Sequence, residues 1–353
     1  MLSDPVELTL HLMSIDSTSG SEGGVMSWLD GYLRDRGWDT RRIPVSSGRG
    51  DLFAIGGGAE TGAPHVTFST HLDTVPPYIA PTRSDQRIYG RGACDAKGIA
   101  AAMVCAAERL CERHVPIGLL FVVGEEVSHD GAHAANEFAA VNGVNSSILV
   151  NGEPTESTLA VGTKGAIRLN IRTVGKAAHS AYPQLGRSAT RDLVHLLAEL
   201  DALDLPRDDV LGDTTINIGH LSGGVADNVL APCAEARLMI RLVTPAEELQ
   251  RIIERWADGR AALEWGVMAP AVRLGVLPGF PTSVAAFATD IPALTNWGTP
   301  FLFGPGSIHV AHGEAEYIDI RELASAVEAY ERIALTPPHD RSAAASSAPP
   351  FAQ

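Results

Sequence analysis

The sequence predicts an α/β protein: a catalytic domain with a mixed sheet flanked by helices, interrupted by a smaller ferredoxin-like α+β domain. Three observations predict it. Apolar runs such as Ile117–Val123 and Ser147–Val150 are short and unbroken, as strands buried on both faces are. Helical patterns alternate with them, which favours helices on both faces of a sheet. Between residues 163 and 275 the order changes to β-α-β-β-α-β, with strands that alternate apolar and polar.

The elements follow in order. Asp4-Pro5 starts a helix that runs to about Met13, with Pro at an early position. A second helix spans about Glu22 to Arg36 and stops at Gly37. Strands follow near Thr40–Pro44, Leu52–Ile55 and His65–Thr70. Lys97–Glu112 is an alanine-rich helix, and Ala132–Ala140 reads as another between the two buried strands. In the inserted part, strands are expected at Ala166–Val174, Thr214–His220, Ala234–Val243 and Ala271–Gly275. Helices are expected at Ser188–Leu203 and Pro245–Asp258. Apolar patterns at Phe301–Phe303 and Leu323–Ala334 return to the first domain. The expected division is 1–162 with 276–338, then 163–275 inserted, and a Pro/Ser/Ala-rich tail at 339–353 expected to be disordered.

Composition narrows the function. The chain has 353 residues, 45% hydrophobic and 20% charged, the balance of a globular protein with room for two domains. A net charge of −15 argues against nucleic acid or an anionic membrane as partner. No apolar run approaches the roughly 20 residues of a membrane span. The start, Met1-Leu2-Ser3-Asp4-Pro5, lacks the pattern of a signal peptide. Cys94, Cys105, Cys111 and Cys233 form no CxxC pair, so reduced thiols in a cytoplasm are expected.

Ligands of open α/β sheets bind beyond the carboxyl ends of the strands. Potential metal ligands recur at those ends. His71 and Asp73 follow one strand, Glu125 and Glu126 a second, Glu153 a third, and His312 a fourth. Asp95 precedes the helix at Lys97. Each alone reads equally well as a loop carboxylate, a helix cap or a surface pair. Together they form a set that chance would scatter over both ends. In a strand, Asp73 would share a side with His71 and could orient its imidazole. Imidazole with carboxylate suits zinc, with cobalt or manganese as substitutes. The number of ligands suits two ions about 3.5 Å apart that share one carboxylate.

The segments HLDTVP, YGRGACDAKG, GEEVSHDGA, NGEPT, AHSAYP and FGPGSIHVAHGEAEYI resemble the acetylornithine deacetylase, succinyl-diaminopimelate desuccinylase and aminoacylase family of co-catalytic zinc hydrolases. Glutamate carboxypeptidases and dipeptidases belong to the same superfamily. The resemblance covers roughly residues 5 to 335 and keeps the motif order. It implies two zinc ions per subunit, with Co2+ a possible substitute, and a homodimer formed through the inserted domain. It implies that Asp95 bridges the ions, that His71 and Glu153 hold one, and that Glu126 and His312 hold the other. Asp73 would orient His71, and Glu125 would be the general base for a metal-activated water. His179 would reach the oxyanion from the partner subunit. Arg241 matches a clamp for a substrate carboxylate. Asn228 matches a residue near the site, and Gly304 is expected to offer a backbone donor to the substrate. Gly313 after His312, and Cys94 before Asp95, depart from the family pattern without removing a ligand.

The leading expectation is a dinuclear zinc amidohydrolase that removes an acyl group from an N-acyl amino acid. The alternative is a zinc dipeptidase or carboxypeptidase with the same centre. A non-catalytic metabolite-binding dimer ranks below both, because no ligand and no base is missing.

Overall fold

The structure is a computed structural model and describes residues 2–58, 64–144 and 146–336. The expected tail at 339–353 lies outside the described residues. The chain forms two compact units. The first holds the chain up to Val161, Arg273–Ser283 and the chain from Thr289 onward; the second holds Gly162–Val272 and Val284–Ala288. The short return at Val284–Ala288 has no counterpart in the sequence reading.

The first unit is built on a six-stranded sheet. Its order is Asp39–Ser46, Arg49–Gly56, Ile117–Val122, Val66–His71, Ile148–Asn151 and Thr299–Leu302. The first two strands form an antiparallel hairpin, and Arg49–Gly56 also runs antiparallel to Ile117–Val122. The last four run parallel to one another, so their carboxyl ends share one edge. Every residue of Val66–His71, Ile117–Val122 and Ile148–Asn151 is buried. Each large apolar side chain buried this way contributes roughly 1.5–3 kcal/mol.

The helix Lys97–Glu112 lies almost wholly within this core. Its alanines permit that depth, and Gly98 permits the approach: a Cβ there would stand 2.3 Å from the carbonyl of Ala93. Tyr330, from the helix Ile320–Leu335, is also fully buried and donates its hydroxyl to the carbonyl of Phe303 at 2.9 Å.

The second unit has a four-stranded antiparallel sheet in the order Thr215–Gly223, Cys233–Leu242, Gly165–Val174, Ala262–Ala269. With the helices Ala189–Ala198 and Ala246–Ala257 this is the expected ferredoxin-like order. Gly165–Val174 alternates buried and open positions, and its inward Ile167, Leu169 and Ile171 join Leu193, Leu249 and Ile253 in one core.

Two expectations are corrected here. The fourth strand is Ala262–Ala269, while Val272–Arg273 belongs to a different sheet. The pairing slips between Trp265 and Met268, around Gly266, and that bulge breaks the alternation a strand would show in sequence. The helix at Ser188 ends at Ala198, and a short 3-10 turn covers Leu200–Ala202.

Among the described residues no helix is long and apolar enough to cross a membrane. The four cysteines are free.

Candidate metal centre

The parallel strands deliver the site. His71 is the last residue of its strand, and Glu153 stands just past Ile148–Asn151. Glu125 and Glu126 occupy the loop between Ile117–Val122 and the helix Asp130–Asn142. Asp95 stands before the helix Lys97–Glu112, and His312 lies between Thr299–Leu302 and Tyr317–Asp319. All belong to the first unit.

Asp95 lies between two histidines. Its Oδ1 is 3.0 Å from Nε2 of His71, and its Oδ2 is 3.2 Å from Nε2 of His312. The same His312 nitrogen is 3.1 Å from Oε1 of Glu126. Donor atoms of His71, Asp95 and Glu153 lie within 4.8 Å of one another, and so do those of Asp95, Glu126 and His312. Two trios thus share one carboxylate, as a bridged pair of ions requires.

The donor chemistry fits cations better than protons. Nδ1 of His71 is 3.0 Å from the carbonyl of Asp73, which accepts its proton. Nε2 is then the nitrogen that faces Asp95 and could serve as a metal ligand. Oε1 of Glu153 is buried with no hydrogen-bond partner. Burial, then Glu153, pushes the carboxyl of Glu125 well above the usual range. Burial, then Asp95 nearby, does the same to Glu153. Burial would raise Asp95 too, yet hydrogen bonds from His312 and His71 hold it below the ordinary carboxylate range. Asp95 and then Glu126 push His312 up to about 10. So many carboxylates sharing one pocket ionise together only against added positive charge.

Asp73 faces His71 with both its carbonyl and its carboxylate. The strand ends at His71, so the same-side rule for i and i+2 does not apply. Nδ1 of His71 lies closer to the carbonyl of Asp73, at 3.0 Å, than to its carboxylate, at 3.5 Å. The carboxylate also accepts from the hydroxyl of Ser19 at 2.8 Å and from the amides of Glu125 and Glu126 at 3.1 and 3.3 Å. Asp73 therefore ties the first histidine to the Glu125–Glu126 loop. That loop is further fixed where the amides of Ser128 and His129 donate to the carbonyl of Gly124, and where Arg49 pairs with Asp130 at 2.6 Å. On the other side, buried Glu316 pairs with Arg91 at 2.7 Å and accepts from the amides of Cys94 and Asp95 at 3.2 Å, which braces the bridging loop.

Gly304 is also corrected. Its N–H donates to Oγ1 of Thr155 at 3.0 Å and is not free for a substrate. A Cβ at Gly304 would stand 2.4 Å from the carbonyl of Glu153. Its work is to let the chain pass close behind that ligand.

His179, Asn228 and Arg241 belong to the second unit. The structure brings the first two together: the amide of Ser180 donates to the carbonyl of Asn228 at 2.9 Å, and His179 forms a bridge with Val229. His179 is exposed, and its Nδ1 accepts from the amide of Ala181 at 3.1 Å. Arg241 lies on Cys233–Leu242, half-buried and without an ion pair among the described residues. Burial, then Arg168 nearby, lowers its guanidinium.

The sequence reading missed His129 and Asp290. Nδ1 of His129 is 2.8 Å from Oδ1 of Asp290, and Asp290 is 1% exposed. The hydrogen bond that His129 donates to Asp290 raises its imidazole. His129 stands four residues beyond Glu125, in the quoted segment GEEVSHDGA, but its partner is 161 residues away.

A hydrolytic water needs electrophilic ions and a separate proton acceptor. Here two histidine–carboxylate trios share a carboxylate, and one glutamate is left over beside them. Fold and site together define a metal-dependent hydrolase acting on amide bonds. The chain belongs to the peptidase family M20/M25/M40, whose model matches residues 67–336. It is 37% identical to a "probable carboxypeptidase" of Paracoccidioides brasiliensis strain Pb18, over 94% of this chain and 86% of the relative. Its fold is similar to that of a tripeptidase from Staphylococcus aureus, with a TM-score of 0.78 and 20% identity over 95% of this chain and 99% of that one. It is also similar to a metallo-carboxypeptidase from Sulfolobus solfataricus, with a TM-score of 0.75 and 16% identity over 94% and 99%.

Proposed function

We propose that the chain is a dinuclear zinc peptidase that cleaves short peptides, as a carboxypeptidase or dipeptidase. The observation that carries the reading is Asp95, with one oxygen on each histidine, between two ligand trios. His71 and Glu153 would hold one ion, Glu126 and His312 the other, with Asp95 between them. Two ions there supply Lewis acidity toward the carbonyl and a nucleophile at neutral pH. Zinc is the ion that imidazole and carboxylate suit best, with cobalt as substitute.

The chain's own residues do the rest. Glu125 accepts the proton of the attacking water on its carboxylate and returns it to the leaving amine. Its raised proton affinity suits both directions of transfer. Asp73 holds the backbone of Glu125, so the base keeps its place while the proton moves. Arg241 offers two N–H groups in a fork that matches a terminal carboxylate. Its lack of an ion pair leaves it available for one. His179 and Asn228 are the second unit's candidates for donating to the substrate.

Relatives named as carboxypeptidases favour peptide cleavage over deacylation. Deacylation of N-acyl amino acids remains the second reading, since the same centre serves both. A homodimer formed through the second unit is part of the proposal. Its outer strand Thr215–Gly223 is almost wholly exposed and presents Ile218 and Leu221 at 45% and 52%. An unpaired apolar strand of that length is a surface that proteins cover.

The test is turnover of a panel of dipeptides, tripeptides and N-acetyl amino acids by protein reconstituted with zinc or cobalt. Peptides cleaved faster than N-acetyl amino acids, with activity removed by chelator and restored by metal, are expected. Preference for N-acetyl amino acids would reverse the order of the two readings. Hydrolysis untouched by chelator would overturn both.

A further inference from the structure

We propose that His129, clamped by buried Asp290, is the positioning residue for the carboxylate of Glu125. The inference rests on the reading of Glu125 as base. A ring nitrogen of His129 and one carboxylate oxygen each from Glu125 and Asp290 lie within 4.8 Å of one another. Asp290 fixes the ring, because its Oδ1 is 2.8 Å from Nδ1 and its side chain has no exposure to relax into. The ring is then presented to Glu125 at a range that one water or a small rotamer change closes to a hydrogen bond.

Glu125 needs such a partner. Its amide is held by Asp73, but the carboxylate has several rotatable bonds beyond that point. Burial and then Glu153 disfavour its ionised form, as do Asp290 and Glu126, and among the groups acting on it His71, itself a metal ligand in the proposed centre, favours that form. His129 is the donor-bearing side chain grouped with it outside the two ligand trios.

The backbone supports the assignment. His129 has φ of +55°, a left-handed conformation that glycine adopts freely. A residue kept only to start the helix Asp130–Asn142 would meet no steric resistance as glycine. An imidazole at that position is explained by what its ring does.

That conformation also supplies the test, since His129→Gly suits the backbone and removes only the ring. The zinc-loaded variant is assayed on the dipeptide that the wild type turns over fastest. Tm should fall, because buried Asp290 loses its partner, but zinc content should match wild type and KM should stay within about twofold, while kcat falls roughly 10–100-fold. Asp290→Asn, which keeps an acceptor for Nδ1, should retain more activity than Asp290→Ala. In a Glu125→Gln background, His129→Gly should add no further loss. In metal-free protein, Glu125→Gln should shift the NMR resonances of the His129 ring. A kcat within about twofold of wild type for His129→Gly, an equal loss in both backgrounds, or an unmoved ring resonance overturns the inference. An active Glu125→Gln removes the base reading itself; an inactive Glu125→Gln beside a fully active His129→Gly removes only the positioning role.

Discussion

The strand Ile117–Val122 is buried at every position, whereas Thr215–Gly223 is open at almost every one. The first belongs to a sheet sealed on both faces. Its three central strands have no free surface except at their ends, and there His71, Glu125, Glu126 and Glu153 emerge. The second belongs to a sheet with helices on one side only, and the strand lies at its edge, paired on one side alone. Chemistry concentrates at the ends of the sealed sheet, and the surface open to assembly lies on the other.

The comparison can be broken by substitutions at both places. The largest effect is expected at the strand end. Glu125→Ala should lower turnover by about 10²–10⁴-fold while metal content, read by mass spectrometry, stays at two ions per chain. Retained activity would remove Glu125 from the chemistry and leave the cluster a binding site. Next in size is Asp73→Asn. Metal affinity, measured against a competing chelator, should weaken roughly 10–100-fold. Because the same carboxylate receives the amides of Glu125 and Glu126, kcat at saturating metal should fall as well. A change in affinity alone would return Asp73 to the simpler role of orienting a histidine.

Gly304→Ala probes the sealed sheet without touching a donor. The added methyl meets the carbonyl of Glu153, so a loss of about 1–3 kcal/mol is expected, read as a lower Tm. An unchanged Tm would mean that the chain behind the ligand yields easily. The smallest folding effect belongs to the open strand. Ile218→Glu with Leu221→Glu should alter stability by no more than about 0.5 kcal/mol per site. If the proposed dimer forms through this strand, light scattering should nonetheless report a monomer for the double variant and a dimer for wild type. A dimer that survives both charges would place the subunit interface elsewhere.

Much of this was legible in the sequence, for a physical reason. Strands buried on both faces are unbroken apolar runs, so Ile117–Val123 announced itself and pointed to Glu125 and Glu126 just beyond. The helix Lys97–Glu112 was readable to its ends because alanine is needed along its whole buried length. What the sequence hid depends on partners far along the chain. The amide of Glu125 meets Asp73 across 52 residues, and His129 meets Asp290 across 161. Gly304 read as a loop donor because nothing local shows that Thr155 takes its N–H. The strand Ala262–Ala269 escaped because a bulge breaks its period and half its side chains face solvent.

The crowding of Glu125 and Glu153 also has a thermodynamic consequence for the metal-free protein. Both carboxyls hold protons at a pH where an exposed glutamate has lost its own, so incoming cations must expel them. Metal binding is then an exchange of hydrogen ions for metal cations. Its calorimetric heat should change with the ionisation enthalpy of the buffer, and its apparent affinity should climb as the solution is made more alkaline. The proton release coupled to metal binding thereby makes loading sensitive to pH as well as to the supply of metal.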